Sequence, residues 1–146
     1  MNPEFCDVTG DEATLPPVSL QLRDQKTEYS TQIAKSSIVF FNYVTHHSEP
    51  NAILARMTKA AQECFEATLV TLNERYKAFC AHIGRTFEPL PWKARVLPYQ
   101  ALYEAVRAEQ GTALDRLIQE KCAEWLADSS LDTCARTTKL VEFVHG

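Results

Sequence analysis

Between Ser48 and Gly84 the apolar residues Leu54, Met57, Ala61, Cys64, Phe65, Leu69, Leu72, Tyr76, Phe79 and Ile83 return at three- and four-residue steps. That is the period of an α-helix, so the spacing predicts one helix of about 50 Å with a single core-facing side. Ser48 is placed to cap its start, Pro50 suits a first turn whose N–H groups have no partner, and Gly84 suits a left-handed closing residue. The opposite side carries Lys59, Glu63, Glu66, Glu74 and Lys77, with Lys59 and Glu63 able to pair across one turn.

The pattern is less clear upstream. After Pro16 and Pro17, the residues Leu22, Tyr29, Ile33, Ser37, Phe40 and Val44 keep helical phase and predict a helix over 17–47. Two stretches pull the other way. Val18, Leu20 and Leu22 alternate as a strand would, and Ile38 to Val44 is rich in the β-branched and aromatic residues that favour strands. The helix is preferred because a long helical phase precedes Ile38 and no second strand stands out to pair with it.

Residues 85–98 hold Pro89, Pro91 and Pro98, which forbid a continuous helix. They also hold Phe87, Leu90, Trp92, Val96 and Leu97, too much apolar surface for a free linker, so this long connection is expected to fold back over the helices. Beyond it, Tyr99, Leu102, Tyr103, Val106, Leu114, Leu117, Ile118, Cys122, Trp125 and Leu126 stay in phase across Gly111. One bent helix over 98–128 is preferred. The rival reading ends a helix at Gly111 and restarts it with Thr112 as cap and Asp115 three residues on. Asp128, Ser129 and Ser130 cap a last helix near 130–145, where Leu131, Cys134, Thr138, Val141 and Val144 share a face and Asp132 can meet Arg136.

The expectation is therefore an all-α protein, an elongated up-and-down bundle of four helices, or five if Gly111 divides the third, with one long Pro-rich connection. Its expected core includes Ile33, Phe40, Met57, Leu72, Phe79, Leu102, Leu117 and Trp125. Residues 1–16 are acidic and poor in apolar side chains and are expected to form a flexible tail, with Met1 to Phe5 in the form of a vector-derived leader. Residues 17–146 form a single helical-bundle domain in this reading.

Composition narrows the class. A chain of 146 residues with 45% hydrophobic and 23% charged residues is of ordinary globular make-up and long enough to bury a core. The strongest apolar run, Ile38 to Val44, is broken by Asn42 and is too short to span a bilayer, and the first fifteen residues lack the apolar core of a signal peptide. Five cysteines without C-x-x-C spacing read as reduced thiols, so the expected setting is intracellular and cytoplasmic, with no disulfide.

Candidate chemistry is sparse. His46, His47, His82 and His145 all fall near expected helix ends, where they can meet exposed carbonyls. Glu142 and His145 match one half of a di-metal helix motif, but no second copy exists. Cys80 and His82 stand two residues apart on a helix and point in different directions. The four glycines form no phosphate-binding loop. No catalytic residue, no metal and no cofactor are expected, and the chain is read as non-enzymatic.

Charge is the informative asymmetry. Arg75, Lys77, Arg85, Lys93 and Arg95 face one acid, Glu88, so the stretch nets +4 and, with −4 overall, the remainder carries −8. Tyr76, Phe87, Trp92 and Tyr99 are interleaved with these cations, the composition favoured at binding hot spots. The expected function is a non-catalytic adaptor or scaffold module that binds another protein, of acidic or mixed acidic and apolar surface, through Arg75, Lys77, Arg85, Phe87, Trp92, Lys93, Arg95 and Tyr99. One alternative is a small-molecule binder or enzyme with an interhelical pocket built from Tyr29, Tyr76, Tyr103 and His82. Another is RNA or anionic lipid at the basic stretch, although the net charge disfavours nucleic acid.

Overall fold

The computed structural model describes residues 3–26, 31 and 33–146. It divides into two compact units, residues 1–56 and 57–146, with the boundary inside the long helix. Among the described residues there are four α-helices and two antiparallel two-stranded sheets, so the fold is mixed α and β and the all-α bundle is corrected.

The first unit opens with a 3-10 turn, Pro3–Phe5, followed by a small hairpin of β1 (Val8–Thr9) and β2 (Glu12–Ala13) that turns at Gly10 with φ +60°. Strands β3 (Val18–Asp24) and β4 (Ser37–Asn42) then pair antiparallel, from Val18 opposite Asn42 to Asp24 opposite Ser37, with an irregularity at Leu20 between Ser19 and Gln21. This ribbon replaces the helix expected over 17–47. The two stretches with local strand character are each other's partners, and their ladder outweighs the helical phase of scattered apolar positions. The Asn42 side chain closes one end of the ribbon by accepting from the Val18 N–H at 2.7 Å, and the Gln25 N–H donates to the Ser36 carbonyl at the other.

Asp7 ties this unit together. It is 4% exposed, and one carboxylate oxygen accepts from the N–H groups of His46, His47 and Ser48 at 3.1, 3.3 and 3.0 Å and from the Thr45 hydroxyl. The other oxygen accepts from the Ser48 hydroxyl and lies 3.7 Å from Arg56. Hydrogen bonds from Ser48 and then Thr45 hold the Asp7 carboxyl far below its ordinary range, against the opposing effect of desolvation. Ser48 is thus engaged as a donor to Asp7, which corrects its expected role as helix cap. His46 and His47 occupy the turn before the helix and not a helix end, because β4 takes the place of the helix that was to precede them.

Helix α1 runs from Pro50 to His82, close to the predicted bounds. Gly84 closes it with φ +67°: the Gly84 N–H reaches the Ala81 carbonyl and the Arg85 N–H the Cys80 carbonyl, the paired bonds of a Schellman motif. Lys59 and Glu63 stand 3.8 Å apart on its exposed side.

Helices α2 (Tyr99–Gln110), α3 (Ala113–Ala127) and α4 (Thr133–His145) pack on one another. The single bent helix expected over 98–128 is corrected to two. Gly111 has φ 66° and ψ −154°, a conformation open in practice to glycine alone, and it turns the chain between α2 and α3. Thr112 makes no side-chain cap bond. Asp115 instead accepts from the Tyr103 hydroxyl and from Arg107 Nε at 3.0 Å, bracing α2 against α3 across the turn. Asp132, expected to meet Arg136, caps α4 by accepting from the Ala135 N–H at 2.7 Å, while Arg136 reaches the carbonyls of Trp125 and Asp128.

The core is smaller than expected. Among the described residues the buried hydrophobic side chains are Cys80, Leu114 and Val144. Of the expected core, Ile33 is 97% exposed, Leu72 and Leu117 are each 39% exposed, Phe79 is exposed, and Phe40, Met57, Leu102 and Trp125 are half-buried. Apolar periodicity located α1 but misread the ribbon as a helix, and it could not say whether a second layer covers a helical face.

Candidate functional site

Residues 85–98 leave the Schellman turn and run back along α1 as an extended strap. Phe87 meets Tyr76 edge-on with ring centres 5.9 Å apart, the Leu90 N–H donates to the Asn73 side chain at 2.8 Å, and Gln62 reaches the Ala94 carbonyl at 3.4 Å. The order Tyr76, Asn73, Gln62 descends α1 while Phe87, Leu90, Ala94 ascends the strap, so the two are antiparallel. Prolines suit this role, since an extended segment lying on a helix needs no ladder of its own and Pro89 and Pro91 stiffen it. Asn73 is a poor residue for a helix interior. Here its amide nitrogen donates to the Leu69 carbonyl at 3.0 Å and its oxygen holds the strap.

The predicted binding residues fall into three groups. Arg85, Lys93 and Arg95 project from the strap into solvent, and Trp92 between them is 59% exposed. Phe87 is half-buried against Tyr76. Arg75 and Lys77 are exposed on α1, but residues two apart point to different sides of a helix, so they do not share a face with each other. Tyr99 belongs to α2, stacking on Tyr103 with ring centres 6.4 Å apart, and its hydroxyl is pushed up by desolvation and by Cys122. The strap thus gathers Arg85, Trp92, Lys93 and Arg95 on one segment, with Arg75, Lys77 and Tyr99 on neighbouring elements.

The Tyr76 hydroxyl is pushed above its ordinary range, first by its hydrogen bond to Cys80 and by that thiol's charge, with the cation of Arg85 opposing. Cys80 is buried, while Cys64 and Cys134 are exposed, and no disulfide joins any of the five cysteines. Among the described residues no group of three or more His, Cys, Asp and Glu side chains is placed to hold a metal. The residues of the alternative pocket do not converge in a described cavity. Tyr29 lies outside the described residues, and the depression of about 290 Å³ on α1 is lined by Ala67, Thr68, Thr71, Leu72 and Arg75.

Sequence reasoning passed over the groups that position the strap. Asn73 and Gln62 looked like unremarkable polar residues of a helix, and only the low helical propensity of Asn73 at the centre of a long apolar pattern hinted at a tertiary role.

No family model matches the chain, and no solved structure matches it. Among curated proteins it is similar to two from Bacillus subtilis (strain 168). The uncharacterized protein YqjN is 22% identical over 111 residues, which make up 76% of this chain and 20% of that protein. Protein RocB is 23% identical over 106 residues, 73% of this chain and 19% of that protein. The chain therefore spans about a fifth of the length of these relatives, and neither description states an activity. No helix among the described residues is long and apolar enough to cross a membrane.

Proposed function

We propose that this chain is a non-catalytic protein-interaction module whose binding surface is the strap on α1. One observation carries the reading: Trp92 stands 59% exposed on a segment whose backbone is pinned to α1 at Leu90 and Ala94. An aromatic side chain on a fixed backbone loses little conformational freedom on binding, and the exposed Lys93 and Arg95 beside it select an acidic rim around an apolar pocket. Arg85 and Phe87 extend the surface toward the end of α1. Arg75, Lys77 and Tyr99 lie at its margins.

The test is affinity capture with identification of the bound protein, followed by titration of that protein against the wild type, Lys93→Glu with Arg95→Glu, and Trp92→Ala. Both variants lose the partner while their thermal midpoints stay within a degree or two of wild type, because exposed charges contribute little to folding. A double charge-reversal variant that binds with unchanged affinity at physiological salt would defeat the proposal. Capture that weakens steeply and linearly in log salt, with RNA or anionic vesicles in place of protein, would transfer the strap to a phosphate-bearing ligand.

A further inference from the structure

The β3–β4 ribbon is incomplete as a sheet, and its two outer edges differ. Every residue of β3 is exposed, and on β4 the side chains of Val39 and Phe41 are exposed while Ile38 and Phe40 are half-buried. Leu22 lies opposite Val39, and Phe41 shares their face, so among the described residues one side of the ribbon is an exposed apolar patch. An isolated two-stranded ribbon is at best marginally stable in water. Natural proteins protect open edges with charge, proline or an irregularity in the strand, and the outer edge of β3 has all three: Arg23 and Asp24, Pro16 and Pro17 at its entry, and the break at Leu20. The edge of β4 has none. It reads Ser37-Ile38-Val39-Phe40-Phe41-Asn42, without charge, proline or bulge, and no described strand lies on it.

We infer that β4 is a strand-addition site, and that its occupant is an apolar β-strand from the part of a longer polypeptide that lies outside these 146 residues. The lengths of the relatives support that occupant. In them the segment similar to this chain is about one fifth of the protein, which leaves ample chain to supply a further strand. The edge asymmetry supports it too, because a surface meant to stay in solvent would be protected on both sides, as β3 is on one. The incoming strand pairs with the N–H and C=O groups of β4 that point away from β3, and its apolar side chains continue the face of Leu22, Val39 and Phe41. The strap on α1 has no part in this argument, so the two proposals stand or fall separately.

The experiment is amide hydrogen exchange at single-residue resolution on the intact product of the gene that encodes this chain. The amides of β4 that face away from β3 should be slowed by about two orders of magnitude or more relative to the outward-facing amides of β3, on which no described strand lies. In parallel, Val39 is replaced by the photoreactive p-benzoylphenylalanine, and the cross-link should join β4 to an apolar strand of the same molecule beyond the 146 residues. Equal, fast exchange on both outer edges would overturn the inference. So would protection of β4 that rises with protein concentration, or a cross-link between two copies, either of which would assign the edge to self-association. A gene that encodes these residues alone would overturn it as well.

Discussion

The corner formed by α2, α3 and α4 and the ribbon of β3 and β4 are built from the same kinds of side chain, yet only the corner is closed. In the corner Leu114 and Val144 are buried, Trp125 and Phe143 meet edge-on at 6.1 Å, and the polar ends are tied by Asp115 to Tyr103 and Arg107 and by Asp132 at the start of α4. In the ribbon Leu22, Val39 and Phe41 are as apolar, but among the described residues they stay exposed, and the element rests on its backbone ladder. An apolar residue stabilises through what lies over it, so equal hydrophobicity gives unequal stability in the two places.

The sharpest way to break that comparison is to truncate one leucine in each region. Leu114 is 2% exposed, so Leu114→Ala removes buried methyl groups and leaves a cavity, and it should cost about 2–5 kcal/mol in denaturant unfolding followed by tryptophan fluorescence. Leu22 is 75% exposed, and Leu22→Ala should shift stability by no more than about 0.5 kcal/mol. Equal costs would show that the ribbon has a cover of its own.

The next effect belongs to the backbone of the corner. No heavy atom lies within 4 Å of a Cβ built on Gly111, so Gly111→Ala meets no steric barrier from neighbours. The residue must nevertheless hold φ 66° with ψ −154°, and the alanine variant should lose about 1–3 kcal/mol from that strain alone. A neutral substitution would mean that the α2–α3 turn relaxes freely and that the brace of Tyr103, Asp115 and Arg107 does not depend on it.

Acid separates the two regions by another route. Asp7 in the first unit and Asp115 in the corner both have lowered carboxyl pKa values, the first mainly from the Ser48 hydroxyl and the second mainly from the Tyr103 hydroxyl. A carboxylate whose folded pKa is depressed contributes stability that is present above its unfolded value and is lost as pH falls toward the folded value. Both regions should therefore weaken as pH drops below about 4. Asp7 is the more strongly lowered, so its contribution persists to lower pH. Nuclear magnetic resonance titration of the Ser48 amide and the Tyr103 ring follows each separately, and Asp7→Asn should remove the acid dependence of the first signal only.

How much of this was legible in the sequence depended on the range of the interactions. Helix α1 and its glycine closure were readable because a helix is held by bonds four residues apart and Gly84 announces the end. The ribbon was not, although both strands carried local signals, because Val18 finds its partner at Asn42 and no short window contains both. Asp7 was invisible for the same reason, since its acceptors' partners lie at residues 45–48. At the candidate site, the clustering of Arg85, Lys93 and Arg95 around Trp92 could be read directly. The clamps at Asn73 and Gln62 could not, because their partners are backbone groups of an irregular strap.

An effect between those of Leu114→Ala and Leu22→Ala tests the face of α1, where the sequence placed core. Leu72 keeps 39% of its surface in solvent, so only part of the roughly 1.5–3 kcal/mol available from burying a leucine is realised there. Alanine also has the higher helix propensity, which recovers a few tenths of a kcal/mol. Leu72→Ala should therefore cost less than about 1.5 kcal/mol by the same denaturant assay, clearly below Leu114→Ala. The ordering matters more than either value, because it asks whether α1 is covered as the corner is or open as the ribbon is. If Leu72→Ala matched Leu114→Ala, the exposed stripe of Phe65, Leu72 and Phe79 would have to be closed by another surface in solution. If it matched Leu22→Ala instead, α1 would owe its stability to the strap side, where Asn73 and Gln62 hold the chain.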